Sequence, residues 1–267
     1  MKVIIFNDKQ NFDGSLNLLN KRFTGGKRRF WLYEEYIPFL INKIKSFDNL
    51  SKIEPQLVKT LFYSGRYSSK LINSFKWSCY EKMAEINALI KKEKNLLDYV
   101  SQPKISHELR RRITNHFNDI KETLEKKKLD YLDSIEKQKR NYEGQKALFE
   151  NIKRTPFIEI KTTPLKQSEG RIYQKGVDVM IATDLVHLAH TDAYNIALIL
   201  GGDTDLIESI KLIRSLGKIV VICAFYTEGD PLSSTISDLM GVCDHFINLR
   251  DLTNEEIMGM SDLISRD

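Results

Sequence analysis

Few residues in this chain could staple or anchor it. The sequence holds three cysteines in 267 residues, Cys79, Cys223 and Cys243, an odd number with no metal-type spacing. That argues against a disulfide framework and a cysteine-bound zinc. Cys223 continues the apolar run Ile219-Val220-Val221-Ile222, so it reads as a buried, reduced thiol, and a reducing cytoplasm is the expected compartment. Long apolar runs are scarce too: none approaches the roughly 20 residues of a membrane span. Met1-Lys2 leads straight into four apolar residues, too few for the apolar region of a signal peptide. A membrane is therefore not an expected partner. Prolines number only six, and with 42% hydrophobic and 29% charged residues the composition is that of an ordinary globular chain. The length suffices for one large α/β domain, or for a smaller one with an appendage.

What the sequence does contain is alternation. Short apolar runs separated by helical patterns argue for βαβ units and a mainly parallel sheet. Strands are expected at residues 3–7, Val58 to Tyr63, Phe157 to Lys161, Ala197 to Leu200 and Lys218 to Phe225. Helices are expected from about Ser15, from Phe30 to Lys45, from Val177 to Ala189 and from Asp205 to Leu216. Trp31, Tyr36, Phe39, Leu40 and Ile44 give the second of these an apolar stripe, as Val177, Ile181, Leu185 and Leu188 do for the third. Gly217 stands where a helix-ending glycine belongs.

Between Tyr67 and Arg154 the pattern changes. Lys, Glu, Leu and Ile recur at helical spacing, and Pro103 divides the stretch into one helix ending near Tyr99 and another from about Ser106 to Ile152. From Lys91 to Arg154 there are seventeen Lys and Arg against eleven Asp and Glu, a net of +6 where the whole chain carries +5. This inserted helical arm thus holds all of the positive excess. Arg110, Arg111 and Arg112, and Lys126 to Lys128, interleaved with His116, Phe117, Tyr131 and Tyr142, suit a nucleic-acid backbone. The competing reading is a solvated coiled-coil hairpin, which also offers a route to a homodimer. The expected layout is a core split over 1–68 and 154–250, an arm over 69–153 and a C-terminal tail over 251–267.

Chemistry points to the strand ends. The strand Ala197–Leu200 runs into Gly201-Gly202-Asp203-Thr204-Asp205, Lys175-Gly176-Val177-Asp178 opens a helix, and Asp8 ends the first strand. Open parallel sheets gather ligands at the carboxyl ends of their strands, so carboxylates from three distant segments are aimed at one place. Two carboxylates about 4 Å apart repel by roughly 4 kcal/mol at an effective dielectric near 20. A hard cation such as Mg²⁺ or Mn²⁺ relieves that repulsion and prefers oxygen ligands. The expected metal and catalytic set is Asp8, Asp178, Asp203 and Asp205. Asp184, six residues beyond Asp178, sits about 120° round the helix and is expected to support the set from behind.

Together these segments resemble the NYN domain family, a branch of the PIN-like nucleases. The resemblance rests on Phe6-Asn7-Asp8-Lys9-Gln10-Asn11, the Lys175–Asp178 segment and the Gly201–Asp205 motif. It extends to Leu61-Phe62-Tyr63-Ser64-Gly65 and to Leu239 through Leu249 with Asp244 and Phe246. It implies a three-layer α/β/α sandwich, Rossmann-like in its parallel sheet, and metal-dependent cleavage of RNA by an endoribonuclease. Two positions depart from the pattern: Lys9 stands where glycine is usual after the first aspartate, and Leu206 where an aromatic is frequent. Lys9 either grips a phosphate or takes a cation's place. Asn11 matches the family's asparagine and either orients Asp8 or a substrate phosphate or caps a helix, and Lys175 is a candidate phosphate contact.

Other readings remain open at this stage. His187 and His190, three residues apart on one helix, suit zinc only with a third ligand and otherwise read as surface residues. Asp203-Thr204-Asp205 alone would also suit a nucleotide-sugar transferase. A catalytically silent NYN-like RNA-binding or protein-interaction module would keep the fold and lose the chemistry.

Overall fold

The computed structural model describes residues 1–24, 29–100, 106–168, 170–229 and 234–263. Its chain order is β1 (Lys2–Asp8), α1 (Lys9–Thr24), β2 (Arg29–Trp31), α2 (Tyr33–Ile44), β3 (Gln56–Arg66), α3 (Ser69–Val100), α4 (His107–Ile152), β4 (Ile158–Pro164), β5 (Lys166–Ser168) and β6 (Arg171–Tyr173). There follow α5 (Val177–His190), β7 (Ile196–Leu200), α6 (Ile207–Ser215), β8 (Ile219–Ala224), α7 (Ser234–Met240), β9 (His245–Asn248), α8 (Asn254–Gly259) and β10 (Ser261–Leu263). The chain divides into two compact units. One comprises 1–66, 148–163 and 174–267, the other 67–147 and 164–173.

The first unit is built on a six-stranded sheet in the order β4-β3-β1-β7-β8-β9. The pairings β1 with β3, β1 with β7, β7 with β8 and β8 with β9 are all parallel. Successive residues of each central strand go to opposite faces, as the pleat requires. Val3, Ile5, Leu198, Leu200, Val221 and Cys223 join Phe12, Leu16 and Leu19 of α1 and Ile37, Leu40 and Ile44 of α2. Ile4, Phe6, Ala197, Ile199, Val220 and Ile222 join Val177, Ile181 and Leu185 of α5 and Ile210 and Ile213 of α6. Both faces are covered, which is why the strands are continuous apolar runs. The expected α/β/α sandwich is the fold observed. Each fully buried Ile, Leu or Val contributes about 1.5–3 kcal/mol.

Several boundaries differ from expectation for identifiable reasons. The first helix begins at Lys9, directly after β1, because the Asp8 carboxylate accepts the Asn11 amide N–H and caps it. The helix around Tyr36 runs only from Tyr33 to Ile44, because Arg29–Trp31 is instead a strand paired with Ser261–Leu263. Within 251–267, α8 starts in a capping box from Thr253 and Glu256 and buries Ile257 and Met260 in the core.

In the second unit, α3 and α4 are long helices, as the arm's composition suggested; Pro103 lies outside the described residues. Phe75 and Cys79 of α3 pack with Tyr131 and Ile135 of α4, and Ile172 of the β5–β6 hairpin joins them. All three cysteines are free. No described helix is long and apolar enough to cross a membrane.

Candidate metal centre

Strand order fixes where the acidic residues meet. From β1 the chain builds outward through β3 and β4, then returns to β7 and builds the other way through β8 and β9. The reversal lies between β1 and β7, and parallel sheets open a crevice at the carboxyl ends of such strands. Asp8 is the last residue of β1 and alternates with Phe6, so its side chain lies on the α5 face. Asp178 sits in the first turn of α5, entered through Gly176 at φ 84°. Asp203 follows β7 and caps a short 3-10 turn over Thr204–Leu206.

These three carboxylates each place an oxygen within 4.8 Å of the others, the one such acidic group among the described residues. Asn11 holds two of them. Its Nδ2 donates to Asp8 Oδ2 at 2.9 Å and to Asp203 Oδ2 at 3.1 Å, while its backbone N–H donates to Asp8 Oδ1 at 3.3 Å. Asn11 lies inside α1, so it is not the helix cap; Asp8 is. Asp203 Oδ1 accepts the Asp205 amide at 2.9 Å. Gly201 makes the approach possible: at φ 124°, an added Cβ would lie 3.1 Å from Asn11 Cβ and 3.5 Å from Asp8 Cβ.

Asp8 is 2% exposed. Burial pushes its carboxyl up from the ordinary 3.8 to about 6; the two Asn11 hydrogen bonds oppose the rise, and the charges of Asp178 and Asp203 add to it. Asp178 is also raised, first by burial and then by the charge of Asp203, with a further push from Asp205. Among the described residues no lysine or arginine forms an ion pair with any of the three. Three converging oxygen donors, one of them buried and without a cationic partner, fit a hard divalent cation.

The remaining expected residues are placed as follows. Asp205 is exposed and outside the three-carboxylate group. Asp184 accepts hydrogen bonds from Tyr63 Oη at 2.7 Å and Lys161 Nζ at 2.8 Å. Lys9 forms an ion pair with Asp13, one turn along α1. Lys175 and Arg111 are exposed; Arg112 pairs with Glu108 at 2.7 Å, and the half-buried Arg110 has partners of its own. His187 and His190 are exposed and belong to no metal-type group among the described residues.

Sequence reasoning did not identify Asp13 as the partner of Lys9, although the i, i+4 spacing was the available signal. It also missed Asn7, buried behind the site, whose Nδ2 donates to Tyr36 Oη at 3.1 Å. Tyr36 lies twenty-nine residues away, and no local pattern links the two.

A parallel α/β sandwich with grouped aspartates at the switch point of its strands has the architecture of the PIN-like nuclease fold. Comparison with family models narrows this further: the NYN domain model matches residues 99–250, more than half of the chain, and the chain belongs to the NYN domain family. The match takes in Asp178, Asp203 and Asp205 and begins after Asp8 and Asn11. Neither the curated proteins nor the solved structures gave a significant match.

Proposed function

We propose that the protein is a Mg²⁺- or Mn²⁺-dependent endoribonuclease acting at Asp8, Asp178 and Asp203. The observation that carries this reading is the convergence of three carboxylates from separate segments, one of them buried, with no ion pair to a lysine or arginine among the described residues. A divalent cation bound there supplies Lewis acidity at the phosphodiester and offsets charge on the leaving oxygen. No side-chain nucleophile is needed for hydrolysis. Asn11 fixes Asp8 and Asp203 relative to one another, so the donors are set before the cation arrives. Asp205 adds a carboxylate on the exposed side of the turn. Lys175, beside Asp178 in sequence, supplies positive charge for the RNA backbone, and Arg110, Arg111 and Arg112 of the second unit are separate candidate phosphate contacts. Lys9 keeps its ammonium on Asp13 and leaves the cation's place free.

The test is incubation of single-stranded and structured RNA with the intact protein in Mn²⁺ or in EDTA, beside Asp203→Asn. Cutting is expected only with Mn²⁺ and only with Asp203 present, while Asp203→Asn melts at the same temperature or higher. RNA left intact in Mn²⁺ would indicate a silent binding module. Cleavage that survives EDTA, or an Asp203→Asn protein inactive only because it unfolds, would remove the metal assignment.

A further inference from the structure

We propose that the outward face of α3 around Trp77 and Tyr80 is a stacking surface for single-stranded RNA. This rests on the reading of the protein as an RNA enzyme and adds a place where the substrate is held.

Helix α3 is anchored by one stripe. Phe75, Cys79 and Ile86 are buried, and their separations of four and seven residues place them on one side of the helix. Trp77 follows Phe75 by about 200° of helical rotation and Tyr80 by about 140°, so both lie on the opposite side. Trp77 is 69% exposed and Tyr80 is 42% exposed. An indole left in water forgoes one of the largest burial gains a side chain offers, so a partner for this face is called for.

The residues around the two rings say which partner. A second helix packing here by knobs into holes would want apolar residues at both of the seven-residue series along the face. One series reads Lys70, Trp77, Ala84, Lys91, and the other begins Asn73, Tyr80. Only the aromatics are large and apolar, and exposed lysines stand on either side of them. Lys76 Nζ lies 5.5 Å from the Tyr80 ring centroid; Glu81 and Glu85 are the acidic residues of this stretch, and Glu85 is paired with Lys82 at 3.2 Å. Flat rings three residues apart with ammonium groups at both ends suit a strand of unpaired bases on a phosphate backbone. They do not suit a leucine-rich helix or a second copy of this one.

The chain has two tryptophans, Trp77 and the half-buried Trp31, so the part of the indole fluorescence that is lost in Trp77→Phe reports on Trp77. A short oligouridylate is titrated into the full-length protein in EDTA, with fluorescence followed beside the anisotropy of labelled RNA. The expected results are quenching that disappears in Trp77→Phe, affinity about ten-fold weaker in Trp77→Ala, and affinity near wild type in Trp77→Phe. Circular dichroism checks that the variants fold. If Trp77→Ala binds as tightly as wild type, or the indole is not quenched, the proposal is overturned. It is also overturned if Trp77→Ala turns a dimer into a monomer, because the face then belongs to a second copy. Cleavage in Mn²⁺ is scored separately: cutting without stacking removes only this inference, and stacking without cutting removes only the nuclease reading.

Discussion

The carboxyl of Asp8 is buried against two other aspartates, and its hydrogen-bond partner is an amide rather than a cation. Its folded-state pKa of about 6 lies above the ordinary 3.8, so the folded protein holds that proton more tightly than the unfolded chain does. The resulting stabilisation is complete below the unfolded value and is lost as pH rises through about 6. For a side chain this buried the difference is on the order of 3 kcal/mol. In EDTA, the melting temperature of the wild type should therefore fall, relative to Asp8→Asn, as pH rises from about 4 to about 7. Adding Mn²⁺ at neutral pH should close the gap, because a cation takes over from the proton. Parallel melting curves for the two proteins across that range would mean that Asp8 titrates as an ordinary carboxylate, raised neither by burial nor by its acidic neighbours.

At the scale of elements, the turn after β7 does the positioning. Gly201 lets the strand end pass close to α1, because its φ of 124° would strain a residue with a side chain and a Cβ 3.1 Å from Asn11 Cβ would force Asn11 to give way. Gly201→Ala should cost about 1–3 kcal/mol of stability and, by pushing Asn11 off Asp8 and Asp203, weaken the Mn²⁺-induced rise in melting temperature. A variant that loses stability but keeps the full Mn²⁺ shift would detach Asn11 from the metal site. The segment was legible as a strand ending in carboxylates, because apolar runs and glycines mark buried strands. The start of α1 was not. Asn11, Asp13 and Gly14 look like a turn, yet Phe12, Leu16 and Leu19 reach the core only if the helix begins at Lys9. Strands β2, β5, β6 and β10 are three residues each, too short to show a period of two, and β2 is paired to a strand more than two hundred residues away.

Along the whole chain, charge and chemistry fall in different stretches of sequence. The acidic group is built from β1, α5 and the turn after β7, whereas the net positive charge resides between Lys91 and Arg154. The sequence alone could show this division, because charge and strand ends are read residue by residue. It could not show which arginines are engaged: Arg112 pairs with Glu108, Arg110 is half-buried and partnered, and Arg111 is exposed. A surface pair such as Arg112 with Glu108 contributes at most about 1 kcal/mol, so a phosphate can compete for that guanidinium. If the arm follows an RNA backbone, affinity measured in EDTA should fall linearly in log–log form with salt, with a slope set by the number of phosphates neutralised. Replacing Arg110, Arg111 and Arg112 together by Ser should flatten that slope by about one or more, and weaken binding to all sequences alike. The exposed Arg111 accounts for the minimum, and release of Arg112 from Glu108 for any larger change. Salt titrations on wild type and the triple variant decide the matter. An unchanged slope would assign the triplet to packing within the second unit, and the positive excess of the arm would then have to act through Lys126, Lys127 and Lys128 or not touch RNA at all.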